Sequence, residues 1–132
     1  MNRRKYMLAH LPLIAIILEI LPYGAVMNFA LPATDGTIGH FRETHSYFSL
    51  LPFGYANFGP FLTAIVSCIL LIFGILQYIN DCERFIGVIK VLSVIGIITS
   101  IMPLMFGINY FSIVGALITV SLCFTAYYSF KK

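Results

Sequence analysis

Four stretches of the chain are nearly unbroken runs of apolar side chains: about Tyr6 to Met27, Gly59 to Ile79, Phe85 to Phe106 and Phe111 to Phe130. Each reaches the roughly 20 residues that a helix needs to cross a hydrocarbon layer of ~30 Å. The runs are continuous rather than alternating. They are also too few for a membrane barrel, which needs at least about eight short strands of alternating character. The pattern predicts an all-α integral membrane protein: one antiparallel four-helix bundle over residues 1–132.

The polar breaks between the runs are unequal. Asn80–Arg84 and Gly107–Tyr110 are tight enough to join antiparallel neighbours directly. The stretch 28–58 is far longer than the usual helix connection of about 2–8 residues. It is too rich in aromatic rings (Phe29, Phe41, Tyr47, Phe48, Phe53, Tyr55, Phe58) to read as disordered. Ala33–Thr37 reads as a turn around Asp35-Gly36. Phe41, His45, Phe48 and Leu51 then follow at helical spacing, which predicts a short amphipathic helix lying in the headgroup region. Such a loop either seals the end of the bundle or caps a binding cavity.

Composition agrees with lipid as the solvent. The chain is 60% hydrophobic and 10% charged, with a mean hydropathy of +0.95. A soluble domain covers itself with about 25% charged residues. A soluble enzyme, a nucleic-acid binder and a disordered chain are all excluded by that shortage.

The few charges set a direction. Arg3, Arg4, Lys5, Arg84, Lys90, Lys131 and Lys132 fall on one side of a four-span topology, and Arg42 falls on the other. The positive-inside rule then places both termini in the cytoplasm and the 28–58 loop outside, with a bacterial cytoplasmic membrane as the expected location. Glu19, Pro12 and the absence of an A-x-A site argue against a cleaved signal peptide.

A pattern recurs at the expected outer face. Leu21-Pro22-Tyr23-Gly24 precedes Asn28-Phe29, and Leu51-Pro52-Phe53-Gly54 precedes Asn57-Phe58. Pro103, Phe106-Gly107 and Asn109-Tyr110-Phe111 form a looser third case. Proline and glycine end helices, asparagine bonds freed backbone groups, and aromatic rings anchor at headgroup depth. A shift of 81 residues superposes Ile16-Ile17 on Ile97-Ile98, Pro22 on Pro103 and Asn28 on Asn109, as two parallel helix hairpins would. The paired LPYG and LPFG segments resemble a group of small, uncharacterised bacterial four-helix membrane proteins, which implies a fold and no activity.

Glu19 is the charge that orientation does not explain. It lies roughly 4 Å outward of the centre of the first run at 1.5 Å rise per residue. A carboxylate there costs at least ~2.5 kcal/mol, so it must face the bundle interior or a wet cavity. It serves either as a buried hydrogen-bonding group or as a coupling site for a proton or cation. Lys90 is the candidate ion-pair partner, although a depth gap of roughly 11 Å favours its reaching back to the interface instead. Ala15-Ile16-Ile17-Leu18-Glu19-Ile20 is similar to the first helix of the small multidrug resistance transporters. That resemblance implies Glu19 as a shared proton and cation site in a dimer. This chain differs from that family in its long outer loop, its strong charge bias and its lack of tryptophan.

Other constellations are weaker. His40, Glu43 and His45 have the chemistry of zinc ligands but poor spacing for one helical face, and no HExxH accompanies them. Cys68, Cys82 and Cys123 form no CxxC. Small residues make stripes at Thr63, Ser67 and Gly74, at Ser93, Gly96 and Ser100, and at Ser112, Ala116, Thr119, Cys123 and Ala126. Such stripes let membrane helices approach closely, within a chain or between copies.

The expected function is a non-enzymatic membrane component that binds a partner or lipid through its outer loop and small-residue faces. The alternative is a small proton-coupled transporter using Glu19. The candidate binding residues are Glu19, Asn28, Asn57, Asn109, Tyr23, Phe53, His40 and His45. No catalytic set, metal or cofactor is expected. The expected partners are the lipid bilayer and either further copies of the chain or a larger membrane complex.

Overall fold

The computed structural model describes residues 3–32 and 34–131. Lys132, counted above among the basic residues, and Ala33 of the expected turn lie outside them. Of the described residues, 70% are helical. Its long helices are α1 (Arg3–Ile20), α3 (Gly59–Asn80), α4 (Glu83–Ile101) and α5 (Ile113–Phe130). Between α1 and α3 lie an antiparallel hairpin, β1 (Ala25–Pro32) and β2 (Ile38–His45), and a one-turn helix α2 (Leu50–Gly54). Two short 3₁₀ turns, Met102–Phe106 and Ile108–Tyr110, join α4 to α5.

Among the described residues, three helical segments are long and apolar enough to cross a membrane: Gly59–Asn80, Glu83–Phe106 and Ile113–Phe130. Helix α1 is not among them, because Arg3, Arg4, Lys5 and Glu19 share its 18 residues. It packs against α3 and α5, and α4 packs against the same two helices. Leu8, Ala64, Leu70, Ile89, Ile118 and Leu122 meet along the middle of this arrangement.

Close approach is bought with small side chains. Gly74 of α3 sits directly on the Leu8 carbonyl of α1. Pro12 has no N–H to return to that carbonyl four residues back, so the oxygen is left free and points at the neighbouring helix. A weak Cα–H···O contact suits the gap, and any Cβ would fill it. The hydroxyl of Thr63 donates to Thr99 across α3 and α4 (3.0 Å), and Thr119 of α5 donates to Ser100 of α4 (3.0 Å). The small stripes of α3 and α4 are thus used inside the chain. In the third stripe, Ser112, the N-cap of α5, is buried and Cys123 of α5 is exposed.

One end of the molecule gathers the start of α1 and the end of α5. The Arg4 guanidinium donates to the backbone carbonyls of Tyr128 (3.1 Å) and Ser129 (2.8 Å), and Lys5 pairs with Asp81 at the α3–α4 turn (2.5 Å). This end is called the base. The hairpin, α2 and the 3₁₀ turns form the opposite end, the cap.

The cap departs from expectation in three ways. First, α1 stops at Ile20 rather than running to Met27. Pro22 disfavours helix at Leu21, and the chain turns over Tyr23-Gly24 into β1. Second, the amphipathic helix expected through Phe41, His45, Phe48 and Leu51 is absent. Ile38–His45 is a strand, paired with β1 in a register that sets Asn28 opposite Arg42 and Ala30 opposite His40. The reversal is made at Gly36, whose φ of +76° suits glycine. Helix is confined to Leu50–Gly54, capped by Ser49, whose Oγ accepts from the Leu51 N–H at 3.3 Å. The fold is therefore mostly helical with a β-hairpin, not all-α. Third, Leu51-Pro52-Phe53-Gly54 builds α2 itself, whereas Leu21-Pro22-Tyr23-Gly24 ends α1. The repeat across 81 residues likewise sets Asn28 in a strand and Asn109 in a 3₁₀ turn, so its two halves are not built alike.

Candidate cap cavity and the buried Glu19 joint

Glu19 is fully buried. Ser67 Oγ of α3 donates to its Oε1 at 2.6 Å, while Oε2 has no hydrogen-bond partner among the described residues. Its backbone carbonyl, in the last turn of α1, accepts from the N–H of Tyr47 at 2.9 Å. That is an orphan carbonyl of the helix terminus, and the cap satisfies it. Glu19 therefore joins three parts of the chain through two different atoms.

Tyr47 follows β2 and is 1% exposed. Its ring lies against Gly24 and its hydroxyl against Gly115 of α5. Burial, and secondarily the charge of the neighbouring Glu19 carboxylate, push its phenol above the usual tyrosine range. A second pin stands beside it. Ser112 Oγ donates to the Gly24 carbonyl (2.6 Å) and accepts from the Gly115 N–H (2.9 Å), so one hydroxyl caps α5 and holds the turn after α1. An isolated bridge from Ala25 to Phe111 runs alongside.

Above these joints is a cavity of about 180 Å³ lined by Val26, Met27, Asn28, Phe29, Tyr55, Asn57, Phe106 and Tyr110. Three separate segments build it: β1, the α2–α3 link and the 3₁₀ turns. The rings of Phe29 and Tyr55 meet edge to face at 5.4 Å, and those of Phe106 and Tyr110 lie 5.9 Å apart. Asn57 is 6% exposed. Its backbone N–H is spent on the Pro52 carbonyl (2.9 Å), and neither its Oδ1 nor its Nδ2 has a partner among the described residues. The preceding Ala56 has a φ of +65°, a strained turn that sets Asn57 in place.

The residues singled out from sequence separate accordingly. Asn28 and Asn57 come together at this cavity. Asn109 is exposed on the neighbouring 3₁₀ turn, and Tyr23 is 61% exposed on the turn after α1. Phe53 packs edge to face on Phe58 (4.8 Å) and Phe61 (5.5 Å), outside the cavity lining. His40 is exposed on the strand, and strand alternation puts it on the opposite face from Glu43 and His45. Glu43 and His45 lie 3.7 Å apart. Lys90 sits at the base with its ammonium 5.3 Å from the centroid of Phe130, and it is not brought to Glu19. Glu19 itself lies outside the lining of the cap cavity.

Sequence reasoning did not anticipate the roles of Tyr47, Ser67 and Ser112. Ser67 stood in a small-residue stripe one helix away from Glu19, and an intramembrane acid next to a hydroxyl-bearing stripe is the signal that pairs them. No protein-family model, curated protein or solved structure matches this chain.

Proposed function

We propose that the protein is a non-enzymatic component of a membrane that binds a partner or lipid through its cap. In this reading α1 spans the bilayer with α3, α4 and α5. Leu13, Ile14, Ile17 and Ile20 support this by exposing apolar surface along α1. Arg3, Arg4, Lys5, Arg84 and Lys131 stand at the base, so the positive-inside rule turns the base to the cytoplasm and the cap outward. The exposed α5 face around Cys123 is where further copies or a larger complex would meet the chain.

The observation that carries the binding function is the cavity in which Asn28, Asn57 and four aromatic rings converge. Recessed apolar walls with a few polar groups are the usual form of a ligand site. A photoreactive residue at position 55, compared with one at the hairpin tip position 38, tests it in native membranes. A saturable adduct specific to position 55 is expected. Indistinguishable labelling from both positions removes the reading.

A second reading rests on the unpaired Oε2 of Glu19. It makes Glu19 a coupling carboxylate in a small transporter. Proton-coupled flux in vesicles that survives Glu19→Gln removes it.

A further inference from the structure

Lys90 stands apart from the other cations of the base. It lies on α4 roughly 10 Å inward of Glu83 at 1.5 Å rise per residue. It is half-buried, and its ammonium has neither a hydrogen bond nor an ion pair among the described residues, only the Phe130 ring at 5.3 Å. A charge inside a membrane segment is costly unless something meets it.

Two openings meet at Lys90. Toward the base is a recess of about 450 Å³ lined by Arg4, Glu83, Ile86, Gly87 and Lys90. Toward the middle of the helices is an apolar groove of about 440 Å³, which adds Val91, Val94 and Ile95 of α4 and Phe130 of α5 to Gly87 and Lys90. Gly87 keeps the passage between them open. Gly59, Gly74, Gly96 and Gly115 each lie against a neighbour, whereas a Cβ on Gly87 would meet nothing within 4 Å.

The charges of the recess are not spent on one another. Among the described residues the only ion pairs are Lys5–Asp81 and Glu43–His45. Glu83 and Lys90 share a face of α4 but stand two turns apart, beyond the one-turn spacing at which side chains pair. Arg4 gives Nε and Nη2 to carbonyls of α5, and its Nη1 has no partner among the described residues.

From the base inward, one face of α4 thus presents a carboxylate, then a cation with Arg4 beside it, then apolar side chains. A zwitterionic glycerophospholipid presents the complement in the same order: ammonium, phosphate, acyl chains. Basic pockets at the ends of membrane helices are known to take lipid headgroups. The carboxylate narrows the choice. Phosphatidylglycerol brings no cation to Glu83. A primary ammonium has N–H groups to give to a carboxylate, and choline has none. Quaternary ammonium groups are held instead by aromatic rings, and no ring lines the recess.

We propose that the base binds one phosphatidylethanolamine molecule, with its phosphate between Lys90 and Arg4, its ammonium on Glu83 and an acyl chain passing over Gly87 into the α4–α5 groove. This site needs only that α4 and α5 lie in a bilayer, and it is independent of the cap cavity.

The test uses the full chain in nanodiscs of equal parts phosphatidylethanolamine, phosphatidylglycerol and phosphatidylcholine. The protein is released into mild detergent and its intact mass is measured with the lipid it keeps. Retention of one phosphatidylethanolamine per chain, about tenfold or more over either competitor, is expected. Lys90→Met and Gly87→Leu should each abolish that retention, and Glu83→Gln should reduce the preference over phosphatidylglycerol. Excess glycerophosphoethanolamine, the same headgroup without chains, should not displace the lipid. Lipids kept in the proportions of the mixture, a preference for either competitor, displacement by the chain-free headgroup, or retention untouched by Lys90→Met and Gly87→Leu overturns the proposal. The lipid preference is read on the unaltered chain, so it stands even where a variant fails to fold.

Discussion

Ser67 on α3 donates its hydroxyl proton to Oε1 of Glu19 on α1, at 2.6 Å and out of contact with solvent. The bond joins two helices at a depth where no water competes. Its loss should therefore be asymmetric. Glu19→Ala strands the Ser67 hydroxyl and opens a void, and should cost about 1–3 kcal/mol. Glu19→Gln keeps an acceptor at the same place and should cost under about 1 kcal/mol. Equilibrium unfolding in detergent micelles measures both, and equal losses would show that the hydrogen bond is not what matters.

The seat of Gly74 on the Leu8 carbonyl makes a second prediction. A Cβ there would also stand 3.1 Å from the Leu8 carbonyl carbon and 3.2 Å from the Ala9 Cα, all backbone atoms that cannot rotate away. Gly74→Ala should destabilise by about 1–3 kcal/mol despite its better helix propensity. Gly87 on α4 has open space around it, so Gly87→Ala should gain about 0.5–1 kcal/mol. Opposite signs for the two changes, in the same unfolding assay, check the packing.

Ser112 works in two directions, toward Gly24 and toward Gly115. Ser112→Ala should cost about 0.5–2 kcal/mol. Hydrogen exchange should quicken at Gly115 and in the turn near Gly24, while the amides at the middle of α3 keep their protection.

Tyr47 predicts a response to base. Its phenol is held above the ordinary value of 10.0 chiefly by burial, so the folded state favours the neutral form. That preference has no effect on stability below about pH 10, where both states are neutral. As pH rises past it, the unfolded chain ionises first and stability falls. Tyr47→Phe should flatten this alkaline decline. An unchanged decline would place its cause elsewhere.

Much of this architecture was readable before any coordinates, for a physical reason. Helices facing lipid are apolar on nearly every side, so Gly59–Asn80, Glu83–Phe106 and Ile113–Phe130 announce themselves by composition. The hairpin did not. Its first strand is buried at Ala25–Met27 and exposed by Ala30, a gradient along the strand rather than the alternation that marks a half-buried sheet. The Asp35-Gly36 pair was the available hint, since such a dipeptide between two β-compatible runs marks a hairpin. The cavity was half legible. Repetition singled out Asn28 and Asn57. Their meeting with each other and with Phe106 and Tyr110 depends on segments far apart in the chain, and no local pattern encodes that.

The base is closed by Arg4 reaching main-chain oxygens, not side chains, at Tyr128 and Ser129. These carbonyls belong to the last turn of α5, where helical partners run out. Every amino acid carries the same carbonyl. These two hydrogen bonds therefore do not depend on the side chains at positions 128 and 129, and their chemical requirement falls on the arginine at position 4. What fills positions 128 and 129 is decided by packing alone, since Ser129 is buried and Tyr128 lies against the core, while position 4 must bring the donor.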